Sequence, residues 1–143
     1  MCDATQIHPD KVHAYLTTGY RIRHQGQNIV LIIGQCSAAL AKVFACNGVA
    51  CGAFITACNP LGALQHDHLN DAAHAELAAR LEDLCVEVIE GWGSGEGSSW
   101  PAEPSYFALG LDLLRAKAVG KLFNQDAIVW VAADAVPQLI LLR

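Results

Sequence analysis

The amino-acid sequence predicts an α/β (α+β) protein, a single domain in which a mixed sheet packs with helices in a layered sandwich. Three observations carry this expectation. Short apolar runs alternate with stretches of helical periodicity along the whole chain, with no internal repeat and no linker. The last two runs, DAIVWVA and PQLILLR, are continuously apolar, which suits a sheet covered by helices rather than one with a wet face. At 143 residues, 53% hydrophobic and 16% charged, the chain has the size of one compact domain and the composition of a packed core.

Pro9 begins a short helix over 8–16, because proline is suited to the first helical position. GYRIR and NIVLIIG then form a strand pair across Gln25-Gly26-Gln27, and residues 37–44 are helical. CGAFITAC is a buried strand that ends at Asn59-Pro60, where proline breaks regular structure. A long helix follows Gln65, with Leu69, Ala73, Leu77, Leu81 and Leu84 along one apolar stripe. Asn70 projects between Leu77 and Leu81, so its amide faces inward and needs a partner. That partner is either the loop before the helix or a ligand. VEVIEGW and SYFALG are the next strands, followed by a helix whose buried stripe is Leu111, Leu114, Ala118 and Leu122. The two final strands meet across Asp134-Ala135-Val136-Pro137.

Between two of these strands lies GWGSGEGSSWPAEPS. A phosphate-binding loop leads its glycines into a helix N-terminus, whereas a strand follows here, with no G-K-[ST] and no G-x-G-x-x-G. The expectation is a flexible glycine-rich flap at about 91–99, with Trp100 as its apolar anchor or else as a core residue beneath it.

A net charge of −5 and only one small basic group, Lys11, Arg21, Arg23 and His24, argue against a nucleic-acid partner. No run of about 18 apolar residues suggests a membrane span, and MCDATQIHPD lacks the pattern of a secretory signal, so a cytoplasmic protein without a membrane partner is expected. The six cysteines include no C-x-x-C pair and read as reduced, mostly buried thiols. His66, His68 and His74 fit a polar helix entrance better than a metal site; neither a metal nor a cofactor is expected.

Six polar residues stand at the ends of expected elements: Asn59, Asn70, Glu103, Ser105, Gln125 and Asp126. Asparagine and glutamine both donate and accept, and Glu103 is able to take a proton or hold a cation, which makes it the candidate catalytic group. No Ser-His-acid or Cys-His spacing indicates covalent catalysis. The same residues are also good turn formers, so a structural use stays open. The functional expectation is a small polar ligand held by Asn59, Asn70, Trp100, Glu103, Ser105 and Gln125, with enzymatic activity undecided. The competing expectation is a non-enzymatic module for a protein partner or for regulation.

Four motifs occur in order: Thr56-Ala57-Cys58-Asn59-Pro60 at a strand end, the helical Asn70, Trp100-Pro101-Ala102-Glu103-Pro104-Ser105, and Phe123-Asn124-Gln125-Asp126-Ala127-Ile128. With these, residues 15–142 resemble DUF3293, a family of small bacterial proteins of unknown function. The chain departs from that family's pattern at Cys58, where an aromatic residue is common, and at Asp126, where asparagine is common. The resemblance implies a shared fold and brings no activity with it.

Overall fold

The computed structural model describes residues 5–95 and 102–143, with side chains omitted at 94–95. Helix α1 (Pro9–Thr17) starts on its proline, and the His8 ring accepts a hydrogen bond from the Asp10 amide at 3.1 Å. Strands β1 (Thr18–His24) and β2 (Gln27–Leu31) follow as a hairpin. Its two turn residues, Gln25 and Gly26, have φ of 51° and 78°, the left-handed pair that matches strand twist in a two-residue turn. Ser37 caps α2 (Ala38–Asn47) by accepting the Leu40 amide at 3.1 Å, and Gly48 ends that helix in left-handed conformation. Then come β3 (Gly52–Ile55), a 3-10 turn (Pro60–Gly62), α3 (Asp67–Glu82), β4 (Glu87–Gly95), β5 (Glu103–Leu109), α4 (Leu113–Leu122), β6 (Ala127–Val131) and β7 (Pro137–Leu141).

The strands form one curled sheet in the order β2-β1-β4-β5-β3-β6-β7, and the layered α/β class is as the sequence predicts. Every described ladder is antiparallel, so the sheet itself is not mixed. The helical crossovers explain this. Helix α3 carries the chain from β3 to β4 with β5 between them, and α4 carries it from β5 to β6 with β3 between them. Each skipped strand runs opposite to both neighbours. Beyond β2, Gly34 and Ser37 donate to the carbonyls of Pro137 and Ala135 at 2.9 Å, which draws the two edges of the sheet toward each other.

Side chains alternate across the sheet and build a core on each face. Tyr20, Ile22, Phe54, Phe107, Leu109, Val129 and Val131 meet Leu40, Val43 and Phe44 of α2 on one face. Ala53, Ile55, Ala108 and Ile128 meet Leu77 and Leu81 of α3, and Ala116, Val119 and Phe123 around α4, on the other. The α3 stripe holds from Ala73 to Leu84, but Leu69 at its start is exposed. Of the expected α4 stripe only Leu111, just before the helix, is buried: Leu114 is 81% exposed, Ala118 and Leu122 are also exposed, and the buried residues within the helix are Ala116, Val119 and Gly120. Small residues face the sheet because α4 packs too closely for leucine. A Cβ on Gly120 would collide with Ile128 and Leu142.

Strand β4 continues to Gly95, so residues 91–95 are paired backbone and not loop. Their alternation of glycine has the period of a strand. It places Gly91 and Gly93 on the α2 face, where a Cβ on Gly91 would press on the Arg21 carbonyl and on Ile22 and Phe54. The remainder of the expected flap, with Trp100, lies outside the described residues. Among those residues, no helix is long and apolar enough to cross a membrane.

The five described cysteines carry free thiols. Cys58 is buried, but Cys36 and Cys46 are exposed and Cys51 and Cys85 are intermediate, so the expectation of mostly buried thiols fails. Thiol labelling of the native protein, followed by mass spectrometry, is expected to modify Cys36 and Cys46 first and Cys58 only on unfolding. Burial also pushes the Cys58 thiol up, which slows its reaction further. Equal rates at all three positions would contradict this placement.

Candidate functional site

An antiparallel sheet gathers strand starts and strand ends at the same edge. Here the start of β1, the end of β4, the start of β5, the end of β3 and the start of β6 come together. In this register Tyr20 is opposite Gly93, Gly93 is opposite Glu103, and Phe54 lies between Phe107 and Val129. Helix α1 crosses over this end and has no buried residue of its own, so it covers the site without contributing a core stripe. Beneath it lies a cavity of about 220 Å³. Tyr20, Phe54 and Val129 form apolar walls; Asn59, Glu103, Ser105, Gln125 and Asp126 supply polar groups; Lys11 and Tyr15 reach in from α1.

The polar floor is organised by Asn59. This residue is 5% exposed, and its backbone adopts φ 50° and ψ 63°, a left-handed conformation that asparagine tolerates better than most residues. Its Oδ1 accepts from the Gln65 amide at 3.1 Å and from Asn70 Nδ2 at 3.0 Å. Its Nδ2 donates to Glu103 Oε2 at 2.7 Å, a charge-assisted bond. Asn70 Oδ1 in turn accepts from the Asn59 amide at 2.9 Å and from Gln65 Nε2 at 2.6 Å. Asn70 thus ties the loop to the start of α3. It stands behind Asn59 and does not line the cavity.

Gln125 Nε2 donates to the carbonyls of Cys58 and Phe123 at 3.1 and 3.3 Å, fixing the amide plane at the cavity wall. Beside it Asp126, 2% exposed, is the buried carboxylate of an ion cluster. Arg143 Nε donates to its Oδ1; Lys11 Nζ and the Tyr15 hydroxyl meet its Oδ2 at 3.4 and 3.3 Å. Burial pushes this carboxyl up, but the hydrogen bond and charge of Arg143, with Lys11, outweigh burial and hold it below the usual aspartate value. Burial raises the Tyr15 phenol and the Asp126 charge adds to the rise, so Tyr15 stays protonated as a donor. Gly62, at φ 71°, passes so close that a Cβ there would overlap Lys11 Nζ.

Other candidate chemistry is remote from this floor or inert. His74 stacks on Tyr106 with ring centroids 4.1 Å apart, while His66 and His68 stack on each other. Among the described residues, no three His, Cys, Asp or Glu side chains gather as a metal-binding group. The Ser105 hydroxyl donates to the Glu103 carbonyl at 3.0 Å, and the Cys58 sulfur faces the Pro104 carbonyl at 3.6 Å, so neither is arranged as an activated nucleophile.

A family model described as a protein of unknown function, DUF3293, matches residues 55–128, just over half of the chain. The chain belongs to the DUF3293 family. The matched span runs from the end of β3 to the start of β6, so the family region contains Asn59, Asn70, Glu103, Ser105, Gln125 and Asp126. Helix α1, with Lys11 and Tyr15, lies outside it, as do β1 and β7. No curated protein and no solved structure matches this DUF3293 chain.

Of the residues expected from sequence, Asn59, Glu103, Ser105 and Gln125 line one cavity, Asn70 supports it from behind, and Trp100 lies outside the described residues. Sequence reasoning missed Lys11, Tyr15, Thr18, Tyr20, Thr56 and Gly93. No local pattern in the sequence points to them, because they reach the cavity from α1 and from strands that only the folded sheet brings together.

Proposed function

We propose that this DUF3293 protein binds a small polar molecule in the cavity beneath α1. The observation that supports this reading is the convergence of Asn59, Glu103, Ser105, Gln125 and Asp126 on one cavity from segments distant in sequence. Buried polar side chains cost stability unless they are satisfied, and a wall with only a structural duty would be cheaper to build from apolar residues. At about 220 Å³ the cavity is smaller than the ~300–1,000 Å³ typical of sites for drug-sized ligands, which indicates a compact metabolite. Glu103, whose Oε2 accepts from Asn59 at 2.7 Å, is the group we assign to proton handling in any reaction run here.

Gly93 provides the test. Its Cβ direction points toward Thr18 and Tyr20 at 3.6–3.9 Å, an ordinary contact distance, and its φ is not in the left-handed region. Gly93→Ala is therefore expected to fold normally, whereas Gly93→Leu fills the cavity. In a thermal-shift screen of small metabolites of both charges, a ligand at a hundredfold excess over its Kd stabilises by ~2.7 kcal/mol, or ~5–10 °C for a domain of this size. Wild type and Gly93→Ala should show that shift and a folded Gly93→Leu should not. Equal shifts in all three proteins, or none with any compound, would overturn the reading.

A further inference from the structure

The cavity's hydroxyl groups follow a common pattern. Six hydroxyl side chains line it, and each donates its proton back into the protein. Tyr15 donates to Asp126 Oδ2, Thr17 to the His13 carbonyl, Thr18 to the Ala14 carbonyl, Tyr20 to the Tyr15 carbonyl, Thr56 to the Pro104 carbonyl and Ser105 to the Glu103 carbonyl, at 2.6–3.3 Å. Two of these hydroxyls also take part in a second bond inside the protein: Thr56 Oγ1 accepts from the Cys58 amide at 3.1 Å, and Tyr20 is hydrogen-bonded to Thr18. Gln125 gives both of its amide protons to carbonyls, so its remaining polar atom is an acceptor oxygen. Asn59 turns its amide nitrogen to Glu103. The exception is the Lys11 ammonium, which itself faces Asp126 and the Leu61 carbonyl at 3.4 Å.

What these side chains offer an occupant is therefore the remaining hydroxyl lone pairs, an amide oxygen and the carboxylate of Glu103, whose Oε2 also accepts from Asn59, within walls that include the rings of Tyr15, Tyr20 and Phe54. From this we infer that the occupant is a small organic cation rich in N–H donors, of the ammonium, amidine or guanidinium class. Such a group meets acceptors with hydrogen bonds and aromatic faces with its charge. An anion or an acceptor-rich sugar would meet mainly lone pairs among the polar groups of the lining, Lys11 excepted. This identification rests on the cavity being a ligand site, as proposed above.

Calorimetric titration at low ionic strength with matched probes separates the two claims. Methylguanidinium, agmatine and putrescine carry the expected head groups; succinate and 1,4-butanediol are comparable in size without them. The cations are expected to bind wild type, to lose binding in Gly93→Leu, and to weaken at least tenfold in Glu103→Gln, which keeps an acceptor for Asn59 but removes the charge. Circular dichroism confirms that each variant is folded. If succinate or butanediol binds more tightly than every cation, and Gly93→Leu abolishes that binding, the ligand class is wrong and the site stands. If cation binding is indifferent to both Gly93→Leu and Glu103→Gln, or if no probe binds, the site and its ligand class fall together.

Discussion

Asn59→Ala is expected to destabilise the protein by about 3 kcal/mol, the sum of stranding several hydrogen-bond partners and of placing alanine in a left-handed conformation. The partners are the Gln65 amide, Asn70 Nδ2 and Glu103 Oε2, each within 3.1 Å of the Asn59 side chain. For a domain of this size the loss corresponds to a fall of ~10 °C in Tm. Asn59→Gly separates the two contributions, because glycine accepts φ 50° without strain and still lacks the side chain. Its loss should be smaller than that of alanine by ~1 kcal/mol. Urea denaturation of the three proteins measures both differences. A loss below ~1 kcal/mol for Asn59→Ala would mean that this network does not hold the floor of the cavity.

The second large effect is at Asp126. Asp126→Asn keeps the shape but leaves Arg143 and Lys11 without the carboxylate between them, and the expected cost near pH 7 is ~3 kcal/mol. This is the low end of the usual range, since the two cations are 33% and 40% exposed and partly recover hydration. The pH dependence has a definite sign. The folded-state pKa of Asp126 is depressed, so its contribution is fully present above the unfolded value near 4 and is lost as pH falls through the folded value. Wild type should exceed the variant in stability from pH 7 to about 5, and the gap should close below about pH 4. A gap that stays constant down to pH 2 would show that the cost is one of packing and not of charge.

Local chemistry made much of this fold legible. Pro9, Ser37, the Gln25-Gly26 turn and Asn59-Pro60 mark element ends through backbone constraints that act within a few residues, and the elements begin and end near them. The distance between a helix and the sheet is not local. Leucine spacing on α4 suggested a conventional stripe, but the contact of Gly120 with Ile128 and Leu142 selects the face bearing small residues. The glycines of β4 differ from the expected flap for a related reason: period-2 glycine also signals a strand with one face against bulky neighbours, and Phe54 and Tyr20 are those neighbours.

The site divides in the same way. Asn59, Glu103, Ser105 and Gln125 stand out because polar residues beside apolar strands are conspicuous in sequence. Lys11 and Tyr15 do not, because their partner Asp126 is more than a hundred residues away and no local spacing announces the contact. The role of Asn70 was half legible: its inward projection required a partner, and the partner is the Asn59 loop.

The most direct test of the cavity as a ligand site is an amide shift map of isotope-labelled wild type and Gly93→Leu, each titrated separately with agmatine, putrescine and succinate. Perturbations in wild type should centre on Tyr15, Thr18, Gly93, Ser105 and Gln125 for at least one probe and vanish in Gly93→Leu. Perturbations confined to residues remote from the cavity, or equal in the two proteins for every probe, would contradict the account.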